Sequence, residues 1–247
     1  MEQRANTFLE TEPLGRLMAK YAVPCVISLL VAALYNIVDQ IFVGNGVGFW
    51  DSAATGSVFP ITVIGWDTSI LFGDGCATFL SLSQGKGDTS AAGRAVASSI
   101  LGSFLSGVVI IAVCCALGDC VFYALGATEA TIGLTRDYGT IIFMMMPLAL
   151  VQNTMTSIIR SDGSSRYSMA AMMAGAVINM IGDPVAIFVL NWGIRGAAIA
   201  TILGQFVSFL ICIAYLRRSR VLRVKAADFI PSWQFLKPSC LLARAAF

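Results

Sequence analysis

The sequence contains no histidine. That removes the usual zinc ligand and the side chain that ordinarily carries protons near neutral pH. Any proton chemistry therefore falls to carboxylates. Charge is scarce as well, at 12% of residues against about 25% in an average soluble domain. The net charge is only +2, which gives nucleic acid no electrostatic footing as a partner. None of the seven cysteines makes a CxxC pair. Most of Cys25, Cys76, Cys114, Cys115, Cys120, Cys212 and Cys240 lie in apolar runs, which argues for packing residues rather than a disulfide framework or metal site. Residues 1–12 are polar and carry both signs, and the first apolar run is too long for a signal-peptide core, so no cleavable signal is expected.

What is abundant is apolar surface. Hydrophobic residues make up 57% of the chain, and the mean hydropathy is +0.80. This places the protein in lipid. A helix needs about 20 apolar residues to cross the hydrocarbon core. Six runs qualify, at about 17–43, 57–83, 95–117, 138–159, 168–190 and 196–216. They are too long and continuous for barrel strands, and small residues recur inside them as close packing in lipid requires. The expected fold is an all-α membrane protein, a bundle of six transmembrane helices. The segment 118–137 is too polar to span and has room for a short surface helix. Residues 1–16 form an N-terminal flank, 17–216 the bundle, and 217–247 a basic linker or truncated tail whose charges could touch anionic lipid.

Six crossings put both termini on one side. That side carries Arg4, Arg16, Lys20, Lys86, Arg94, Arg160, Arg166, Arg217, Arg218, Arg220, Arg223, Lys225, Lys237 and Arg244, whereas the other carries only Arg136 and Arg195. The asymmetry predicts cytoplasmic termini and a multi-pass protein of the plasma (inner) membrane.

Against this apolar background the acids stand out, because a charge in a spanning helix is expensive and marks a functional site by default. Asp39 lies roughly 6 Å short of the outer end of the first span, Asp183 roughly 10 Å short of the end of the fifth, and Thr201, counted from about Gly193 where the sixth helix begins, roughly 12 Å down. Asn179 is one turn before Asp183 on the same helix face. Tyr35 and Asn36 stand in a similar relation to Asp39. Asp39, Asn179, Asp183 and Thr201 can therefore converge on one oxygen-rich pocket. Such oxygens suit hard cations. Two carboxylates held together do not both stay ionised without a cation: one takes up a proton, or a metal ion such as Na+ sits between Asp39 and Asp183. A purely structural reading stays open, in which Asp39 reaches the outer surface and Asp183 ends a helix broken at Pro184.

Asp67 has no visible partner, and Asp74 lies near the cytoplasmic half where a base could pair with it. Met144, Met145 and Met146 either line an adaptable cavity or pack, and packing is the preferred reading. Pro24 and Pro147 mark kinks within spans. Gly85-Lys86-Gly87-Asp88 lacks the spacing and setting of a phosphate loop and reads as a turn. No nucleophile–base pair appears, which argues against an intramembrane enzyme.

Several segments, taken in order, resemble the multidrug and toxic compound extrusion (MATE) family. They are Leu34-Tyr35-Asn36-Ile37-Val38-Asp39-Gln40-Ile41-Phe42-Val43-Gly44, Val58-Phe59-Pro60, Ser83-Gln84-Gly85-Lys86-Gly87-Asp88, Leu125-Gly126-Ala127-Thr128-Glu129, Asp137-Tyr138-Gly139, Ile158-Ile159-Arg160-Ser161-Asp162-Gly163, Asn179-Met180-Ile181-Gly182-Asp183-Pro184 and Gly193-Ile194-Arg195-Gly196-Ala197-Ala198-Ile199-Ala200-Thr201. The resemblance implies a secondary active antiporter that exports cationic or amphipathic small molecules against H+ or Na+ re-entry, with no other cofactor. It implies that Asp39, Asn179, Asp183 and Thr201 hold the coupling cation, that Pro24 bends the first helix when the site titrates, and that Tyr138 and Asn153 line the cavity. Family members have two six-helix lobes, and this chain corresponds to the N-terminal one. The resemblance thus implies a second lobe as partner, self-association, or a nonfunctional truncated fragment. A lipid-linked oligosaccharide flippase of the same superfamily is the alternative transporter. Asp67 departs from the family pattern, which has an uncharged residue there.

Overall fold

The computed structural model describes residues 13–85 and 89–218. The expectations for residues 1–12, for the turn at 86–88 and for the tail from 219 onward lie outside the described residues. Every regular element described is helical: α1 (Leu14–Gly46), α2 (Phe49–Gly85), α3 (Thr89–Leu117), α4 (Asp119–Ala124), α5 (Ile132–Ser161), α6 (Ser165–Pro184) and α7 (Gly193–Arg218). A five-residue π-helical segment, Val185–Val189, extends α6. The polar 118–137 segment contains the short helix expected there, α4.

Among the described residues, five helices are long and apolar enough to cross a membrane. The exception is α2. It has the length, at 37 residues, but Asp51, Asp67 and Asp74 lower its hydropathy. It still belongs to the bundle, because its main neighbour is the central helix α5. The most buried spanning window lies in α5, where 61% is enclosed, against 18% in α1. α1 leans chiefly on α6 and touches α2 and α7 much less. It is the least enclosed spanning helix, which bears on any motion of the bundle.

One apolar cluster fills the end of the bundle where α5 turns into α6. It includes Leu80, Val96, Met155, Ile158 and Cys212. A second sits under α4 at the opposite end, around Val58, Phe122, Phe143, Met146 and Leu150. The tight α5–α6 turn uses Gly163 at φ +87, a conformation that favours glycine. The end of the bundle at α4 is tied by exposed ion pairs, Arg136 with Asp119 and Arg195 with Asp137. The two bases assigned to the outer side are thus both matched by acids. At the other end Asp74 does find its base: Arg160 donates to its Oδ1 at 3.2 Å. Arg160 also donates to Ser157 Oγ at 3.1 Å and approaches Cys25 Sγ on α1 at 3.7 Å. The six described cysteines are free thiols.

Candidate functional site

The site is built by α1, α6 and α7. α6 and α7 approach closely because Gly175 and Gly204 face each other. A Cβ on Gly204 would lie 2.5 Å from the Gly175 carbonyl oxygen, and one on Gly175 would lie 2.7 Å from the Gly204 carbonyl oxygen. Only glycine fits such a crossing. One turn beyond this contact the Asn179 amide donates to Asp183 Oδ1 and to Thr201 Oγ1, both at 3.2 Å. Asp39, from α1, is buried beside this pair and lines the same cavity as Asn179 and Thr201. On its other side Asp39 Oδ2 accepts from Gln40 Nε2 at 3.2 Å. The Thr55 hydroxyl on α2 donates to Gln40 Oε1 at 3.3 Å. The four residues aligned by depth in the sequence are therefore brought together.

Burial is deep. Asp183 is 0% exposed, Asn179 3% and Asp39 8%. Three of their oxygens, Asp39 Oδ1, Asn179 Oδ1 and Asp183 Oδ2, are enclosed without a hydrogen-bond partner. A buried acceptor left unpaired is costly. Two carboxylate oxygens and one amide oxygen, with the Thr201 hydroxyl adjacent, form a donor set that fits a proton or a hard cation. The carboxylates come from different helices, so whatever they share ties α1 to α6.

Beside this cluster lies a cavity of about 880 Å³, within the size range of ligand pockets. Tyr35, Asn36, Asp39, Tyr138, Asn153, Asn179 and Thr201 line it, whereas Asp183 does not. Asp183 sits behind Asn179 and reaches the cavity only through its neighbours. The remaining lining is aromatic, aliphatic and polar-neutral. Among the described residues, Asp39 is the single charged residue that lines it, and no lysine or arginine does. Met146 both lines the cavity and packs in the core, whereas Met144 is 71% exposed.

Pro24 is buried within a continuous α1 and does not line the cavity. Its ring removes one backbone donor from the helix ladder, and Ser28 donates its hydroxyl to the Pro24 carbonyl at 2.7 Å. Pro184 does not break α6 outright. The chain widens into the π segment, so Asp183 stays inside a helix.

Sequence reasoning missed Gln40, Thr55, Gln152 and Gln205. Gln40 supports Asp39, and all four line the cavity. A signal existed for two of them: Gln40 adjoins Asp39, and Gln205 lies one turn after Thr201 on the same face.

The MatE family profile matches residues 24–185. The Staphylococcus aureus multidrug export protein MepA is 27% identical across the whole of this chain and 55% of its own length. An outward-facing multidrug resistance MATE family transporter of the MOP superfamily superposes with a TM-score of 0.87 at 26% identity, covering 100% of this chain and 55% of that one. A MOP superfamily transporter from Pyrococcus furiosus, whose binding pocket is described as reversed in polarity, gives 0.86 at 26% identity with the same coverage. The chain spans about half the length of the curated relatives it matches.

Proposed function

This chain belongs to the MatE family of membrane transporters, and we propose that it is the ion-coupled lobe of a multidrug antiporter that exports organic cations in exchange for H+ or Na+. The observation that carries the reading is the buried pair Asp39–Asp183, which together with Asn179 holds three unpartnered oxygens beside a cavity able to hold a small molecule. In this reading a proton or Na+ sits between the two carboxylates, where Asn179 and Thr201 supply neutral oxygen. Gln40 and Asn179 keep the carboxylates oriented by donating to them.

With the ion present, α1 and α6 are held together. Its loss leaves two anions facing one another, and their repulsion acts on α1, the least enclosed helix. Pro24 lies 15 residues before Asp39 (39 − 24), roughly 22 Å down the axis, where the weakened ladder offers a pivot. A cationic substrate in the cavity supplies the compensating charge. Ion and substrate thus compete for one negative site, which is the requirement for exchange.

The cavity lining favours this over transport of a phosphate-bearing lipid, since phosphate recognition relies on lysine or arginine and, among the described residues, neither lines the cavity. The surrounding membrane would be the plasma membrane with both ends of the bundle's chain cytoplasmic. A second six-helix lobe, or a second copy of this chain, would form the opposite wall of the transport path. The test is ethidium movement across vesicles holding the chain, with and without an imposed H+ or Na+ gradient. Gradient-dependent movement is expected. Movement indifferent to both gradients would overturn the antiport reading.

A further inference from the structure

Asp67 plays no part in the site described so far. It sits ten residues past the start of the apolar run at Ser57 (67 − 57), roughly 15 Å along α2 and so near mid-membrane. Its side chain is nevertheless exposed on the surface of the lobe. Among the described residues no base pairs with it. The other acids at depth are accommodated: Asp74 is paired with Arg160, and Asp39 and Asp183 are enclosed by polar groups.

A carboxylate at this depth does not face hydrocarbon. Such residues face protein or a water-filled cavity. The surface of α2 around Asp67 is therefore not a lipid face, although Val63 and Ile64 beside it are exposed and apolar. Val63 lies one turn earlier on the same side of the helix. Val63 and the adjacent Trp66 both line the 880 Å³ cavity, and Trp66 is 39% exposed. Asp67 is not itself one of the lining residues, but it lies beside the cavity wall, one turn from Val63 and next in sequence to Trp66.

We infer that Asp67 lines the aqueous approach to the cavity and, with Trp66, forms an entry subsite for organic cations. This rests on the organic-cation reading above. A carboxylate attracts the cation, and an indole face adds a cation–π contact that suits delocalised or quaternary cations. One exposed carboxylate does not make a coordination shell for a hard metal ion. The subsite therefore selects the substrate, and the coupling ion stays with Asp39 and Asp183.

The test is ethidium affinity of the full chain in lipid nanodiscs, read by dye fluorescence. Asp67→Asn weakens binding about five- to tenfold, and Asp67→Glu keeps it within about twofold of the unmodified chain. Asp51→Asn removes the same charge from the far end of α2 and leaves affinity unchanged. In a second measurement, a cationic methanethiosulfonate reagent modifies Asp67→Cys at residue 67, located by peptide mass spectrometry, and saturating ethidium slows the reaction. Equal ethidium affinity in the unmodified and Asp67→Asn chains overturns the inference alone. So does a residue 67 that resists labelling, which would place it against another protein surface. Failure of the unmodified chain to bind ethidium overturns both this inference and the organic-cation reading.

Discussion

Asn179 and Asp183, one turn apart on α6, are joined by a 3.2 Å hydrogen bond in which the amide donates to the carboxylate. The same amide nitrogen donates to Thr201 on α7. A single neutral side chain thus orients one carboxylate of the pair and fixes α6 against α7.

Replacing Asn179 removes both bonds at once. Asn179→Ala is expected to destabilise the protein by about 1.5–3 kcal/mol, the range for a hydrogen bond to a charged group. Thr201→Val, which removes only the neutral partner, is expected to cost about 0.5–1.5 kcal/mol. Thermal unfolding of the purified variants checks the order. The reverse ranking would mean that Asn179 does not hold Asp183.

The α6–α7 crossing gives a second prediction. Gly175→Ala and Gly204→Ala each push a methyl group into the facing backbone and are expected to cost about 1–3 kcal/mol through overpacking. Gly133 on α5 meets open space. There Gly133→Ala is expected to stabilise by about 0.5–1 kcal/mol, because alanine suits a helix better. Melting temperatures moving in opposite directions would support the close crossing. Tolerance at 175 and 204 would refute it.

Orientation is testable with side chains already on the surface. Cys120 on α4 is exposed, as is Arg166 near the start of α6. In intact cells an impermeant maleimide is expected to modify Cys120 from outside and to leave Arg166→Cys untouched until the membrane is opened. Labelling of position 166 in sealed cells would reverse the assigned topology.

Much of this site was legible in the sequence because helical rise is fixed. Once charge asymmetry orients the spans, depth follows from counting residues. That is how Asp39, Asn179, Asp183 and Thr201 were aligned across three helices. Rotation about each helix axis is less legible, since it depends on packing. Gln152 turns toward the cavity, and no local pattern announces it. The Asp74–Arg160 pair joins residues 86 apart in the chain, a tertiary fact that only a weak hint of a nearby base foreshadowed. α2 reads as an apolar span in the sequence, yet it is not among the described helices long and apolar enough to cross a membrane. Pro184 read as a possible helix break, but the backbone absorbs it as a π turn.

The most direct measurement is the ion movement that accompanies ethidium. Ethidium added to vesicles holding the chain is expected to drive H+ or Na+ the opposite way, followed with an internal pH dye or radioactive sodium. Asp39→Asn and Asp183→Asn should each abolish this counter-movement, and the double substitution should add little to either, as residues acting as one unit do. Counter-movement that persists in both single variants would contradict the account and leave Asp39 and Asp183 as structural polar residues.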